Sequence, residues 1–213
     1  MALLSRLSEA LWPLSAVPVP PEGPLYSDYD LNPHLAPMDP AAELHAAAVL
    51  VGVCADAVCD EPNVILTRRA EGLRRHQGQI ALPGGRLDPG ETPVMAALRE
   101  AHEEIGLAPD QVDPLGLGAP YRTGSGFMIT PVVGRVRACP PQWRTDPGEV
   151  AEVFSVPFAF LMDLNNYRQQ SYVTPEGVMR HFYAVPWQDR FIWGVTAGVL
   201  RALALRLSEQ EPE

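Results

Sequence analysis

Apolar residues run almost unbroken from Ala46 to Val53 (AAAVLVGV), which predicts a strand covered on both faces. The shorter run from Val64 to Thr67 predicts its partner, with 54–63 as the turn between them. From Pro93 to Glu104 the pattern becomes helical. At about 100° per residue, Val94, Ala97, Leu98, Ala101 and Ile105 fall on one stripe that faces a core. Thr92 suits the N-cap, Pro93 the first turn and Gly106 a left-handed C-cap. Strands are predicted at 115–121 and 127–137, around the turn Thr123-Gly124-Ser125-Gly126. A strand at 150–156 and a short helix at 157–161 follow, then a hairpin of 167–173 with 178–185. The last element is a helix over about 192–207, apolar at Val195, Val199, Leu203 and Leu207.

The start of the chain reads differently. Leu3, Leu4, Leu7 and Leu11 share one face of a short amphipathic helix. Residues 13–40 are so rich in Pro that they predict an extended arm without regular structure. A loop is expected over 68–85 (RRAEGLRRHQGQIALPGG). The expected division is a helix and arm over 1–42, one domain over 43–207 and a frayed tail over 208–213.

Composition narrows the function classes. The 213 residues hold 16 basic and 26 acidic side chains, a net charge of −10, which argues against a nucleic-acid binder. All 16 basic residues are Arg, so cationic contacts to a substrate must come from Arg, His or backbone. No stretch approaches the ~18 apolar residues of a membrane span, and the N-terminus lacks the pattern of a signal peptide. Cys54, Cys59 and Cys139 show no metal-binding spacing and are expected to be thiols in a reducing cytoplasm.

The helix also carries candidate chemistry. Glu100, Glu103 and Glu104 cluster on a face roughly 120° from the apolar stripe. Three carboxylates at this spacing repel one another on a solvated face, but they also form the oxygen array that a hard divalent cation takes. Arg99 lies beside them, with Glu91 as a candidate partner. Pro83-Gly84-Gly85 lets main chain approach a ligand closely.

Residues 85–107 resemble the Nudix box, G-x5-E-x7-R-E-U-x-E-E-x-G-U, with U aliphatic. Gly85, Glu91, Arg99, Glu100, Ala101, Glu103, Glu104, Gly106 and Leu107 match it without departure. The resemblance implies an α/β class Nudix fold, an α/β/α sandwich with a mixed β-sheet. It implies metal-dependent (Mg²⁺ or Mn²⁺) hydrolysis of a nucleoside diphosphate linked to another moiety. It gives Glu100, Glu103 and Glu104 the role of metal ligands, with the Gly85 carbonyl as a further one, and makes Glu91–Arg99 an orienting salt bridge. Residues 65–85 resemble the signature of the coenzyme A pyrophosphatase subgroup through Ile65, Leu66, Thr67, Arg69, Ala70, Leu73, Arg74, Gly78, Pro83, Gly84 and Gly85, with Leu82 in place of Phe. Segments 123–134, 149–163 and 191–200 are similar to it as well. The implied products are 3′,5′-ADP and 4′-phosphopantetheine.

Arg68, Arg69, Arg74, Arg75 and His76 form a cationic patch, in which Arg69 and Arg74 are the substrate candidates, with Arg86 a further one. Glu103 or Glu104 are candidates for the general base. In the acidic loop of Asp146, Glu149 and Glu152 the favoured residue is Glu149. Tyr121, Phe127, Trp143, Phe154 and Trp193 are candidates to stack on adenine or to pack in the core. His45, His102 and His181 are read the same way, as ligand contacts or structure. Rival readings are a Nudix enzyme for ADP-ribose or a dinucleoside polyphosphate, and a non-catalytic binding module. A homodimer is expected, with neither nucleic acid nor membrane as partner.

Overall fold

A computed structural model describes residues 7, 9–15, 26–37, 44–54, 61–73, 76–138 and 143–209. The buried run forms β2 (His45–Cys54), which pairs in parallel with β8 (Phe127–Val136) along its whole length, His45 opposite Phe127 and Cys54 opposite Val136. β3 (Asn63–Arg69) pairs antiparallel with β2 and with β9 (Val150–Pro157). β6 (Val112–Leu117) and β7 (Tyr121–Arg122) pair antiparallel with β8. With the short β1 (Tyr26–Ser27), β4 (Ile80–Ala81) and β5 (Gly84–Arg86), these strands make one mixed sheet of nine among the described residues.

The sheet is covered on both sides, and alternation along β2 assigns the faces. Val51 and Val53 join one core with α3 (Gly194–Ser208), together with Leu66, Val133 and Phe158. Ala48 and Leu50 join the other with α1 (Pro93–Ile105), whose Ala96, Ala97, Ala101 and Ile105 are buried. Thr92 caps α1 by accepting from Met95 N at 3.2 Å, and Gly106 ends it at φ 72°. α2 (Phe158–Met162) follows β9 directly. The α/β sandwich with a mixed sheet is therefore present.

Several expectations change. Residues 192–193, expected at the start of the last helix, are not helical. They end β12 (Arg190–Trp193), which pairs with β11 (Met179–Trp187) and extends the hairpin of β10 (Arg168–Val173) to a three-stranded sheet. Gly194, at φ 61°, makes the turn from this strand into α3. The supposed loop before α1 contains β4, paired with β3, and β5, formed because Gly84 lets its backbone lie against Ala48 and Val49 of β2. The Pro-rich arm contains β1, whose Tyr26–Ser27 is free of Pro and pairs parallel to β7, and a 3₁₀ turn at Pro33–Leu35, whose first position tolerates Pro. Leu7, Ala10 and Leu11 are buried in the α3-side core, and Trp12 bridges Leu117, so the described N-terminal residues pack on their own chain. Cys54 is fully buried and disulfide-bonded rather than a free thiol. Cys59, Cys139, Leu3, Leu4 and the tail beyond Glu209 lie outside the described residues.

Candidate active site

Helix α1 and the strand β5 before it build the site together. Arg99 holds Glu91 through two bonds, Nε to Oε1 at 2.8 Å and Nη2 to Oε2 at 3.0 Å. Nη2 also donates to the Arg86 carbonyl at 3.0 Å, which ties β5 to the helix. The Arg99 hydrogen bonds, aided by the Asp88 backbone N–H, hold the Glu91 carboxyl down to about 2. Arg99 Nη1 donates to Glu100 Oε1 at 3.0 Å and to Glu103 Oε2 at 3.1 Å.

Glu104 points inward and is only 4% exposed. Its Oε2 accepts from Gly84 N at 3.3 Å, and Arg69 Nη1 lies 3.9 Å from Oε1. Burial, then the charge of Glu100, push its carboxyl up to about 8; Arg69 at that range offsets this only in part. Burial also raises Glu100, whose carboxylate is packed so closely on Gly85 that a Cβ there would lie 2.3 Å from Oε1. Glu149 is exposed, yet its charge adds to the rise of both Glu100 and Glu104.

The three helix carboxylates do not converge as the wheel suggested. Among the described residues no three metal-capable side chains stand grouped: Arg99 holds Glu100 and the exposed Glu103, while Glu104 is buried. The donor set still suits a hard divalent cation. It consists of carboxylate oxygens at adjacent positions, one of them buried with its charge incompletely compensated.

Beside these groups a cavity of about 530 Å³ opens. Arg69, Gly84 and Gly85 line it on the carboxylate side. Arg86 does so too, with its guanidinium 4.9 Å from the centre of the Phe127 ring. Val49, Ile129, Val195 and Val199 give it an apolar lining, and Trp193, Phe182 and Tyr172 add aromatic edges. The arm completes the wall with Asp28, Tyr29, Asn32 and Leu35.

The cationic patch is divided by this architecture. Arg69 and His76 face the cavity, whereas Arg68 turns to Glu152 at 3.2 Å and to Glu71 at 3.7 Å. Arg74 and Arg75 lie outside the described residues. In the acidic loop, Glu152 pairs with Arg68 and Arg190, and Asp146 accepts from Gly148 N, so Glu149 is the carboxylate left to act on the helix cluster. Of the aromatic candidates, Phe127 and Trp193 reach the cavity. Tyr121 is buried against Asp28, Phe154 lies under Arg190, and Trp143 packs on the α1-side core. His181 lines the cavity, His45 stacks near Phe127 and His102 is exposed.

Asp28, Asn32, Tyr172, Arg180 and Phe182 were not singled out by the sequence. Their signal is entirely long-range: Asp28 meets Tyr121 and Gly124, and Asn32 meets the His181 backbone.

Residues 45–185 match the NUDIX domain. The chain belongs to the Nudix family. It is 40% identical over 164 residues to proteins called "Uncharacterized Nudix hydrolase NudL" in Yersinia pestis (strain Pestoides F) and Yersinia pseudotuberculosis (serotype O:1b), covering 76% of this chain and 79% of theirs. Among solved structures it is similar to the Mycobacterium smegmatis ("M. Smegmatis") Nudix hydrolase RenU, with 29% identity, a TM-score of 0.46, and 57% and 75% of the two chains covered. An Enterococcus faecalis MutT/nudix family protein aligns at 16% identity and a TM-score of 0.48, covering 82% of this chain and 64% of that one. This Nudix hydrolase thus belongs to a family that acts on small-molecule substrates and generally uses divalent cations such as Mg²⁺ or Mn²⁺. Among its described residues no helix is long and apolar enough to cross a membrane.

Proposed function

We propose that this Nudix hydrolase cleaves the diphosphate bond of coenzyme A or its derivatives, giving 3′,5′-ADP and (acyl-)4′-phosphopantetheine. The observation that carries the reading is the cavity itself. It joins the Arg69–Gly84–Gly85 edge of the carboxylate cluster to a long apolar and aromatic lining, which suits a diphosphate with an extended, largely uncharged arm. The resemblance of residues 65–85 to the coenzyme A pyrophosphatase signature supports the same substrate.

In this reading Glu100, Glu103, Glu104 and the Gly85 carbonyl would hold Mg²⁺ or Mn²⁺, which when bound would supply charge neutralisation at the diphosphate and a more acidic water. Glu91 and Arg99 fix the helix against β5, so that the carboxylates and the Gly85 backbone keep their relative places. Arg69 and Arg74 bind the diphosphate, and the Gly84-Gly85 main chain lets it come close. Glu149, or Glu103 or Glu104, takes the proton of the water; Glu149 is favoured because it is exposed and acts electrostatically on the cluster. The domain is taken as 43–207, with a helix and arm before it and a short tail after it, and the enzyme as a homodimer.

The deciding experiment incubates the protein with coenzyme A, acyl-coenzyme A, ADP-ribose and dinucleoside polyphosphates, with and without Mn²⁺, and separates the products by chromatography. Mn²⁺-dependent release of 3′,5′-ADP at the highest kcat/KM in the panel is the expected result. Preference for ADP-ribose or a dinucleoside polyphosphate replaces the substrate; no hydrolysis of any of them replaces the enzyme with a binding module.

A further inference from the structure

In a chain of net charge −10, the described lining of the cavity holds Arg69, Arg86 and Arg180, and Asp28 as its one carboxylate. Asp28 is already engaged: its Oδ1 accepts from Tyr121 Oη at 2.9 Å and its Oδ2 from Gly124 N at 2.7 Å. The described lining therefore carries three guanidinium groups against one carboxylate.

Arg180 stands apart from the other two. Arg69, whose Nε also lacks a partner, lies 3.9 Å from Glu104 Oε1, and the exposed Arg86 stacks on Phe127. Arg180 comes from β11 and lies against the turn 123–126. A Cβ at Gly124 would sit 3.3 Å from its Nη1. Its Nε is buried without a hydrogen-bond partner, and no ion pair within 4.0 Å engages it among the described residues. Asp28 and Glu176 act on it only as charges at longer range. A buried, unpaired guanidinium N–H costs on the order of 1–3 kcal/mol unless a ligand satisfies it. Ser125 and Thr123 place hydroxyls on the same wall.

We propose that Arg180, with the turn 123–126, forms a second anion subsite, distinct from the metal-facing one, that takes a phosphomonoester carried on the ribose of the substrate. On the coenzyme A reading, on which the identity of the ligand rests, this group is the 3′-phosphate. The guanidinium fork suits a phosphate dianion, which accepts two parallel N–H bonds. The diphosphate is then left to Arg69 and the carboxylate-bound cation. Asp28 keeps the turn in place through Gly124 and acts on Arg180 as a charge without an ion pair within 4.0 Å.

The test compares matched substrates that differ only in that phosphate, coenzyme A against dephospho-coenzyme A and 2′-phospho-ADP-ribose against ADP-ribose, in wild type, R180A and R180K. The expected result is that the kcat/KM ratio of phosphorylated to unphosphorylated substrate falls roughly ten- to hundred-fold in R180A. The change should lie mainly in KM, with partial recovery in R180K, which keeps the charge but loses the fork. The ratio is measured within one protein preparation, so a partly unfolded variant lowers both terms and leaves it unchanged. A ratio equal to wild type for both pairs in R180A and R180K, while circular dichroism shows both folded, overturns the subsite. Hydrolysis of neither coenzyme A form by the wild type overturns the proposed function instead, and an Arg180-dependent ratio in the ADP-ribose pair would then still sustain the subsite.

Discussion

Asp28 Oδ2 accepts the backbone N–H of Gly124 at 2.7 Å across 96 residues of chain. Through this bond and the one from Tyr121, a carboxylate of the Pro-rich arm sets the turn that forms one wall of the cavity. Burial raises the Asp28 carboxyl, and the two hydrogen bonds resist that rise. D28A leaves an amide N–H and a phenol hydroxyl unsatisfied. The expected cost is about 1–3 kcal/mol for each group that stays buried. Denaturant titration measures the stability loss, and steady-state kinetics should show a higher KM with a smaller change in kcat.

The Glu104 carboxyl makes metal-free stability fall with pH. Its folded pKa is pushed up to about 8 from an ordinary 4.5, so between those values the folded protein holds a proton that the unfolded chain has released. Stability from this group declines as pH rises through that window, by at most about 1.4 kcal/mol per pH unit. Thermal melts in chelator from pH 5 to 9 should show the decline. Added Mg²⁺ should stabilise more as pH rises, and E104Q should flatten both trends. E104Q should also lower kcat on the order of 10²-fold or more.

Glu91 carries the opposite sign. Its pKa is depressed to about 2, so its contribution to stability is fully present above about 4.5 and is lost as pH falls through 2. E91Q should melt at a lower temperature than wild type at pH 7, and the gap should close toward pH 2. R99K, which cannot reproduce the two-bond grip on Glu91, should lose activity even in preparations that remain folded.

Two glycines separate the site from the scaffold. G85A places a methyl 2.3 Å from Glu100 Oε1 and should weaken metal binding, read as a higher Mg²⁺ or Mn²⁺ requirement. G198A, on α3, drives a methyl to 2.5 Å from Tyr121 Oη and should destabilise the fold by about 1–3 kcal/mol through overpacking. Titrating metal against activity and against melting temperature distinguishes the two.

The helix was legible because its signals are local. Thr92, Pro93 and Gly106 mark its ends, and the spacing of Ala97, Ala101 and Ile105 fixes its buried face. The strands were legible where their alternation or apolar run is long. β4, β5 and β12 were not, because pairs of two to four residues owe their form to neighbours: β5 exists by leaning on β2, and β12 by closing on β11. The carboxylate set could be read from the box, but its division by Arg99 could not, since a helical wheel gives direction and not partners. On the far wall His181 and Trp193 could be named, but not Asp28, Asn32 or Arg180, because Asn32 and His181 meet across 149 residues.

The Glu104 carbonyl accepts from Asp146 N at 3.1 Å, and Gly106 is packed so tightly on Arg144 that a Cβ would lie 2.8 Å from its Cβ. The loop that carries Glu149 is therefore stapled to the end of the helix that carries Glu100 and Glu104. Glu149 therefore keeps its place relative to Glu100 and Glu104 through the backbone alone, with no side-chain contact needed between the loop and the helix.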